Sequence, residues 1–106
     1  MLNEIVMMGR LVRDPELRYT TSQKPVCNFT LAVDRDRAAG DEKTDFFDCV
    51  AWNSVGEFVS KYFRKGQMAA ICGHLQNRTY TDKEGHNRKV SEINVSDVYF
   101  GEPKRE

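Results

Sequence analysis

Alternating apolar and polar positions predict five β-strands along this chain. Successive residues of a strand point to opposite faces of a sheet, so a strand with one buried face alternates in character. The segment VCNFTLAV alternates in this way, with Cys27, Phe29, Leu31 and Val33 on one face. The other predicted strands are NEIVMMGRL, TDFFDCVAW, QMAAICGHLQNRTYT and KVSEINVSDVYF, and a short extended piece is predicted around residues 17–20.

One amphipathic helix is predicted between the third and fourth strands, in NSVGEFVSKYFRKG. Its apolar residues recur at the spacing of one helix face, which predicts a stripe that packs on a core. These residues are Val55, Phe58, Val59, Tyr62 and Phe63. Ser54 and Glu57 have the spacing of a capping box at the start of the helix. Arg64 and Lys65 suit the negative end of the helix dipole, and Gly66 can adopt a left-handed cap.

The order of these elements predicts a single small barrel. Five strands with one helix between the third and fourth is the order of an all-β OB-fold barrel, although periodicity alone also allows another small α+β sheet. A chain of 106 residues is long enough for one core. We expect one domain over residues 1–101 and a short frayed tail at 102–106. Gly73 is expected to mark a bend or bulge in the fourth strand. The first strand is apolar on both faces, which indicates burial on both sides or a partner chain on one.

Charge and cysteine usage narrow the possible chemistry. Sixteen basic and sixteen acidic side chains give no net charge, which argues against a uniformly basic nucleic-acid surface but allows a local one. Cys27, Cys49 and Cys72 lack the spacing of a zinc site or a disulfide framework. They are expected to be buried reduced thiols, and no metal or cofactor is predicted. No apolar run could cross a membrane and no signal peptide is recognisable, so a cytoplasmic protein is expected.

Catalytic chemistry is not predicted. His74 and His86 lie in different segments, and neither has a nucleophile motif beside it. The sequence contains no zinc-protease motif, nucleophile elbow or phosphate-binding loop. The acidic residues mostly stand beside basic ones, which is typical of a solvated surface. We therefore expect a protein that is not an enzyme.

The strand TDFFDCVAW carries large aromatic residues on the face opposite the core, and core packing does not explain them. Alternation places Phe47, Cys49 and Ala51 on one side, a set that matches the core residues of the preceding strand. The opposite side carries two large rings spaced by a charge, in the set Phe46, Asp48, Val50 and Trp52. Such rings can cover a second small cluster or a subunit contact. They can also serve as a binding surface.

Further aromatic and basic residues favour a nucleic-acid surface. Tyr80 follows Arg78 closely and precedes a hairpin tip that contains Lys83 and Arg88. The other long tip carries Arg35, Arg37 and Lys43. A single strand of nucleic acid needs rings that stack on its unpaired bases and cations that follow its phosphates. A duplex calls for a groove-reading helix instead, and here the one predicted helix is needed for the core.

Five segments, in this order and spacing, resemble the bacterial single-stranded DNA-binding protein family over nearly the whole chain: GRLVRDPELRYT, NFTLAVDRD, TDFFDCVAW, YFRKGQ and NRTYTDKEGHNR. The resemblance implies an OB-fold that forms homotetramers, with subunits paired through the first strand. It also implies binding of single-stranded DNA without sequence preference, in replication, recombination and repair. By position, it assigns base stacking to Phe46, Trp52 and Tyr80. Arg37 falls where many members carry a further ring, so stacking there would use a guanidinium plane. Phosphate contacts are implied for Arg35, Lys43, Arg64, Lys65, Arg78, Lys83 and Arg88.

Two departures from the family pattern change the expectation. Asp48 stands on the face implied to bind DNA, and together with zero net charge it should weaken binding and flatten the salt dependence. The family's flexible linker and acidic tip, which recruit repair and replication enzymes in the family, are not found after residue 101. The sequence is then either a trimmed form of a longer protein or a short paralogue that binds DNA without recruiting. Two alternatives remain open. One is a dimer of the primosomal replication protein N type, and the other is an OB module whose aromatic face binds a protein.

Overall fold

The computed structural model describes residues 1–36 and 43–102. Its elements in chain order are β1 (Ile5–Leu11), β2 (Glu16–Tyr19), β3 (Pro25–Asp34), β4 (Thr44–Trp52), α1 (Asn53–Tyr62), β5 (Met68–Thr81) and β6 (Asn87–Phe100). The five predicted long strands and the helix are confirmed. The short extended piece predicted around residues 17–20 is the four-residue strand β2.

Five of the strands close into a barrel in the order β1-β5-β6-β4-β3, and β3 pairs back to β1. The closing contact is short, with Arg10 opposite Ala32 and Leu11 opposite Leu31. The β4–β6 pairing is parallel and the others are antiparallel. Strand β2 lies outside the closed ring, paired along β3. A closed five-stranded barrel with the helix between its third and fourth strands is the predicted OB-fold.

The core fills the barrel with the residues that alternation places inward. Cys27, Phe29 and Leu31 on β3 lie opposite Ala51, Cys49 and Phe47 on β4, and all of them except Phe47 are buried. From the helix stripe, Val59 and Phe63 are buried against them. The parity predicted for TDFFDCVAW is therefore confirmed, and its other face is turned away from the core.

The start of α1 differs from the prediction. The helix begins at Asn53 and no side chain caps it, so the predicted capping box of Ser54 and Glu57 is wrong. The reason is that β4 stays hydrogen-bonded to β3 as far as Trp52, opposite Val26. The chain therefore passes directly from strand to helix. Asn53 makes this sharp turn with φ of 57°, a left-handed conformation that Asn tolerates better than most residues.

The end of α1 follows the prediction more closely. Arg64 Nη1 donates to the carbonyl oxygens of Ser60 and Phe63, both at 2.7 Å. These are carbonyls of the last turn, which have no partner within the helix. Gly66 has φ of 89°, but it lies in the turn before β5 rather than at the cap itself, and its N–H donates to Leu11 O at 2.8 Å.

The predicted irregularity at Gly73 is confirmed. The β5–β6 register shifts between Cys72 and Gly73, as in a β-bulge. A Cβ atom at Gly73 would collide with the carbonyl oxygen of Asn94, so only glycine fits without a backbone shift. Beyond this bulge the hairpin continues as an exposed arm to its tip at residues 82–86.

The barrel end beside α1 is closed by an aromatic cluster. Phe63 stacks on Phe100 with ring centroids 4.9 Å apart, and Phe58 lies 5.8 Å from the same ring. This contact holds the end of β6. Glu102, the first residue of the predicted frayed tail, accepts from Arg10 Nη1 at 3.3 Å and from Met68 N–H at 3.2 Å. It is therefore held against the barrel. The remaining tail, residues 103–106, lies outside the described residues.

Two of the three cysteines are buried as predicted. Burial raises the pKa of Cys27 to about 11 and that of Cys49 to about 12, because the thiolate would lose its hydration. Cys72 is only partly buried, because it lies opposite Val6 on the outward parity of β5. Across residues 1–36 and 43–102, no group of three metal-ligating side chains comes together and no helix is long and apolar enough to cross a membrane.

Candidate nucleic-acid interface

Strand pairing joins the outward residues of β3, β4, β6 and β5 into one continuous surface, here called the outer face. Thr30 lies opposite Asp48, and Val50 lies beside Asn94 in the parallel β4–β6 pairing. The β5–β6 ladder continues the surface along the hairpin arm, where Tyr80 is opposite Arg88. The outer face comprises Val26, Asn28, Thr30, Phe46, Asp48, Val50, Trp52, Gln76, Arg78, Tyr80, Arg88, Glu92 and Asn94.

Three aromatic rings of the outer face are open to solvent. Phe46 is 66% exposed, Tyr80 42% and Trp52 38%. Within the described residues, none of them contacts another ring. Phe46 and Trp52 are six residues apart on one strand, which corresponds to about 20 Å. The three predicted stacking residues therefore lie on one surface, spaced widely enough to meet different nucleotides of one strand.

The arginines predicted to contact phosphates near this surface are already bound to carboxylates. Arg35 makes a two-pronged ion pair with Asp45, at 2.9 Å on both oxygens. Arg88 Nε donates to Asp82 at 2.9 Å. Because the guanidinium groups stabilise the charged carboxylates, the pKa values of Asp45 and Asp82 are lowered. All four side chains are at the surface, so a phosphate can compete for each arginine.

Arg78 lies on β5, within the outer face and opposite Val90. Its Nε donates to Glu92 at 3.3 Å, and its guanidinium carbon lies 5.7 Å from the centroid of the Tyr80 ring. This arrangement brings the predicted cation and the predicted ring into contact. A guanidinium over a ring is a favourable pair, and it keeps both groups on the outer face.

The remaining predicted phosphate contacts lie at two locations, at the hairpin tips and in the turn after α1. Lys43 and Lys83, at the two hairpin tips, are exposed and make no ion pair among the described residues. Arg64 and Lys65 lie in the turn between α1 and β5, not on the strands of the outer face. The Arg64 guanidinium is bound to helix carbonyls, and the Lys65 N–H donates to Asp14 at 2.8 Å. Arg37 lies outside the described residues.

The structure also brings Arg18, which the sequence analysis did not select, to this surface. Arg18 lies opposite Val26 in the β2–β3 pairing, and Val26 lies opposite Trp52. The three residues therefore form one row across the sheet, with Arg18 exposed at its end. The motif RYT gave no sign of this, because the row depends on the register of β2.

Two shallow grooves cross the outer face. One, of about 190 Å³, is lined by Val50, Trp52, Gln76, Asn77, Arg78, Glu92 and Asn94. The other, of about 160 Å³, is lined by Arg13, Glu16, Asn28, Phe29, Thr30, Asp48, Cys49, Arg78 and Glu92. The Arg78–Glu92 ion pair belongs to both grooves. Arg13 is a further residue that the sequence analysis missed, since its position depends on the path of the chain between β1 and β2.

A closed OB-fold barrel that presents exposed rings and cations on one sheet face has the architecture of a nucleic-acid-binding module. The sequence pattern of the Single-strand binding protein family matches residues 2–101. The chain belongs to this family, which confirms the resemblance predicted from the sequence.

Individual relatives agree with this assignment. The chain is 44% identical to the single-stranded DNA-binding protein of Halalkalibacterium halodurans, over 98% of this chain and 63% of that protein. It is 42% identical to single-stranded DNA-binding protein A of Bacillus subtilis, over 98% of this chain and 62% of that protein. It is 41% identical to the single-stranded DNA-binding protein of Caldanaerobacter subterraneus, over 98% of this chain and 71% of that protein. The chain thus spans less than two thirds of the length of the first two relatives.

Proposed function

We propose that this chain binds single-stranded DNA without catalysis, through the outer face, and serves DNA replication, recombination and repair. The observation that carries the proposal is the presence of three exposed rings, Phe46, Trp52 and Tyr80, on one sheet face. Family membership and the names of the relatives support DNA as the ligand. We assign binding to the domain of residues 1–101.

Stacking supplies the part of the affinity that does not depend on sequence. Every base has a π-face, so a ring accepts any base, and each stack is worth about 1–3 kcal/mol. The rings are exposed in the free protein, so binding buries apolar surface that water now covers. Three such contacts are together worth about 3–9 kcal/mol, so phosphate contacts must add to them to offset the cost of ordering and positioning the strand.

Phosphate contacts come from two kinds of cation. Lys43, Lys83 and Arg18 are exposed and make no ion pair among the described residues. They can bind phosphate directly. Arg35 and Arg88 must exchange a carboxylate for a phosphate, so they contribute less. Arg64 and Lys65 remain proposed phosphate contacts, although their described contacts are to helix carbonyls and to Asp14 rather than to the outer face. Arg37 remains a proposed stacking residue through its guanidinium plane.

Substitution of the rings tests the proposal. Trp52→Ala and Phe46→Ala are each expected to weaken the binding of an oligo-dT strand by roughly 5- to 150-fold, the equivalent of one lost stack. Tyr19→Ala is the matched control, because Tyr19 is 56% exposed but points to the opposite side of the sheet from Arg18 and Trp52. Unchanged affinity in both outer-face variants would contradict base stacking on these rings and would favour a role for them in a protein contact.

We also propose that the chain forms a homotetramer, with β1 in a subunit contact. Val6 and Met8 on β1 are 80% and 53% exposed. Through β5, they lie on the same surface as Tyr99, which is opposite Ala70. This apolar patch on β1, β5 and β6 is separate from the three rings of the outer face. The expected mass in solution is four times 12.2 kDa. A monomer at micromolar concentration would contradict the proposal.

A further inference from the structure

We infer that Asp48 makes the outer face discriminate against thymine and in favour of bases that carry an exocyclic amino group. The inference rests on the proposed function, because it concerns how the same surface reads a bound strand. It adds a base preference to binding that stacking alone would leave indifferent to sequence.

The Asp48 carboxylate is held in a fixed position on the outer face. Its Oδ1 accepts a hydrogen bond from the Thr30 hydroxyl at 3.1 Å. The Thr30 oxygen in turn accepts from Arg13 Nη2 at 3.2 Å. Thr30 is buried, with 7% of its surface exposed. The two hydrogen bonds through its hydroxyl therefore hold the carboxylate from the protein side of the outer face. Asp48 itself is exposed and forms no ion pair within residues 1–36 and 43–102, which leaves Oδ2 available to a ligand.

The neighbour of Asp48 on the same face is the most exposed of the three rings. Phe46 lies two residues away along β4, at about 7 Å. A base stacked on Phe46 can therefore direct an edge at the carboxylate. A phosphate in direct contact with the carboxylate is disfavoured, because two anions repel each other, although Arg13 and Arg78 line the same groove. The group of the strand that meets Asp48 itself is therefore a base rather than the backbone.

An ionised carboxylate only accepts hydrogen bonds. Cytosine presents an N4 amino group, adenine an N6 amino group and guanine an N1–H beside an N2 amino group, and all of these donate. Thymine presents one N3–H between two carbonyl oxygens, which the carboxylate repels. A base with an amino group can therefore donate to the carboxylate without placing two carbonyl oxygens against it, whereas a bond from thymine N3–H is offset by that repulsion.

The groove beside Trp52 has no such bias. It contains the amides of Gln76 and Asn94, with Asn94 Nδ2 donating to Gln76 Oε1 at 3.0 Å. An amide both donates and accepts, so it can bind the edge of any base. Its one carboxylate, Glu92, is already bound to Arg78. Selectivity should therefore arise at the Phe46 end of the outer face.

The test compares oligo-dC with oligo-dT of equal length, at one salt concentration and mildly alkaline pH. The quantity measured is the selectivity ratio, Kd for oligo-dT divided by Kd for oligo-dC. Asp48→Asn is expected to lower this ratio by roughly 5- to 10-fold, because its amide N–H can donate to thymine O4. Any general gain in affinity from the lost negative charge cancels in the ratio. Glu57→Gln, an equal change in charge on the exposed surface of α1, should leave the ratio at the wild-type value.

The outcomes separate this inference from the proposed function. A lower ratio in Asp48→Asn with an unchanged ratio in Glu57→Gln supports the inference. Tight binding of both oligonucleotides with the same ratio in all three proteins overturns the inference and leaves the proposed function intact. The absence of a complex with either oligonucleotide overturns both.

Discussion

At the scale of single residues, burial decides the chemistry of the thiols. Cys27 and Cys49 are almost completely buried in the barrel core. Their raised pKa values mean that neither thiol is a thiolate at neutral pH. Since the thiolate is the reactive form, both residues act as small core side chains. The outer face thus gains no covalent chemistry from the Cys49 that lines one of its grooves.

The buried thiols predict a loss of stability at high pH. The unfolded chain releases each thiol proton near the reference pKa of 9.0, whereas the folded state retains it up to about 11 for Cys27. Their stabilisation is therefore complete below pH 9 and decreases as pH rises. Each thiol should lower the free energy of unfolding by about 1.4 kcal/mol per pH unit between these values.

Urea titrations at several pH values and one protein concentration measure this slope. Cys27→Ala should remove the contribution of one thiol from the slope, whatever its effect on stability at pH 7. Cys72→Ala leaves both buried thiols in place and should retain the wild-type slope. Equal slopes in wild type and Cys27→Ala would contradict the assignment.

At the scale of elements, β2 extends the outer face beyond the barrel. This strand has only four residues and pairs only with β3. Its register places Arg18 in the row that contains Val26 and Trp52. A strand of DNA stacked on Trp52 would therefore have a guanidinium within reach of its backbone.

We expect Arg18→Gln to weaken the binding of oligo-dT at low salt. The slope of log K against log salt concentration should decrease in magnitude by about one, which corresponds to one released counterion. The physical reason is the loss of one phosphate contact and of the counterion that it displaces. Lys61→Gln is the control, since Lys61 lies on α1, with its ammonium 5.3 Å from the centroid of the Tyr62 ring. Equal slopes in wild type and Arg18→Gln would remove Arg18 from the interface.

The sequence predicted the elements well because their signals are local. The alternation around Phe29 and Cys49 and the helix stripe around Val59 each appear within ten residues. It predicted the helix start wrongly because that boundary depends on a bond ladder between β4 and β3. Contacts between distant segments could not be read from it either. The Arg13–Thr30–Asp48 chain and the position of Arg18 both require the strand register.

At the scale of the whole molecule, the charge balance limits how far phosphates drive binding. The chain has sixteen basic and sixteen acidic side chains. Three of the arginines proposed to contact DNA, at positions 35, 78 and 88, form ion pairs within the protein. Fewer counterions are then released per bound strand, so affinity should fall with salt less steeply than the number of cations suggests. Stacking of bases on the rings must then supply the part of the binding affinity that phosphate contacts do not.

The central claim, that bases stack on the outer face, is tested most directly through Trp52, the only tryptophan of the chain. We would titrate the protein with oligo-dT at low and at moderate salt and follow the tryptophan fluorescence. The account predicts strong quenching as the strand binds, with a moderate loss of affinity when salt is raised. Unchanged fluorescence, together with no complex in a native gel at low salt, would contradict it.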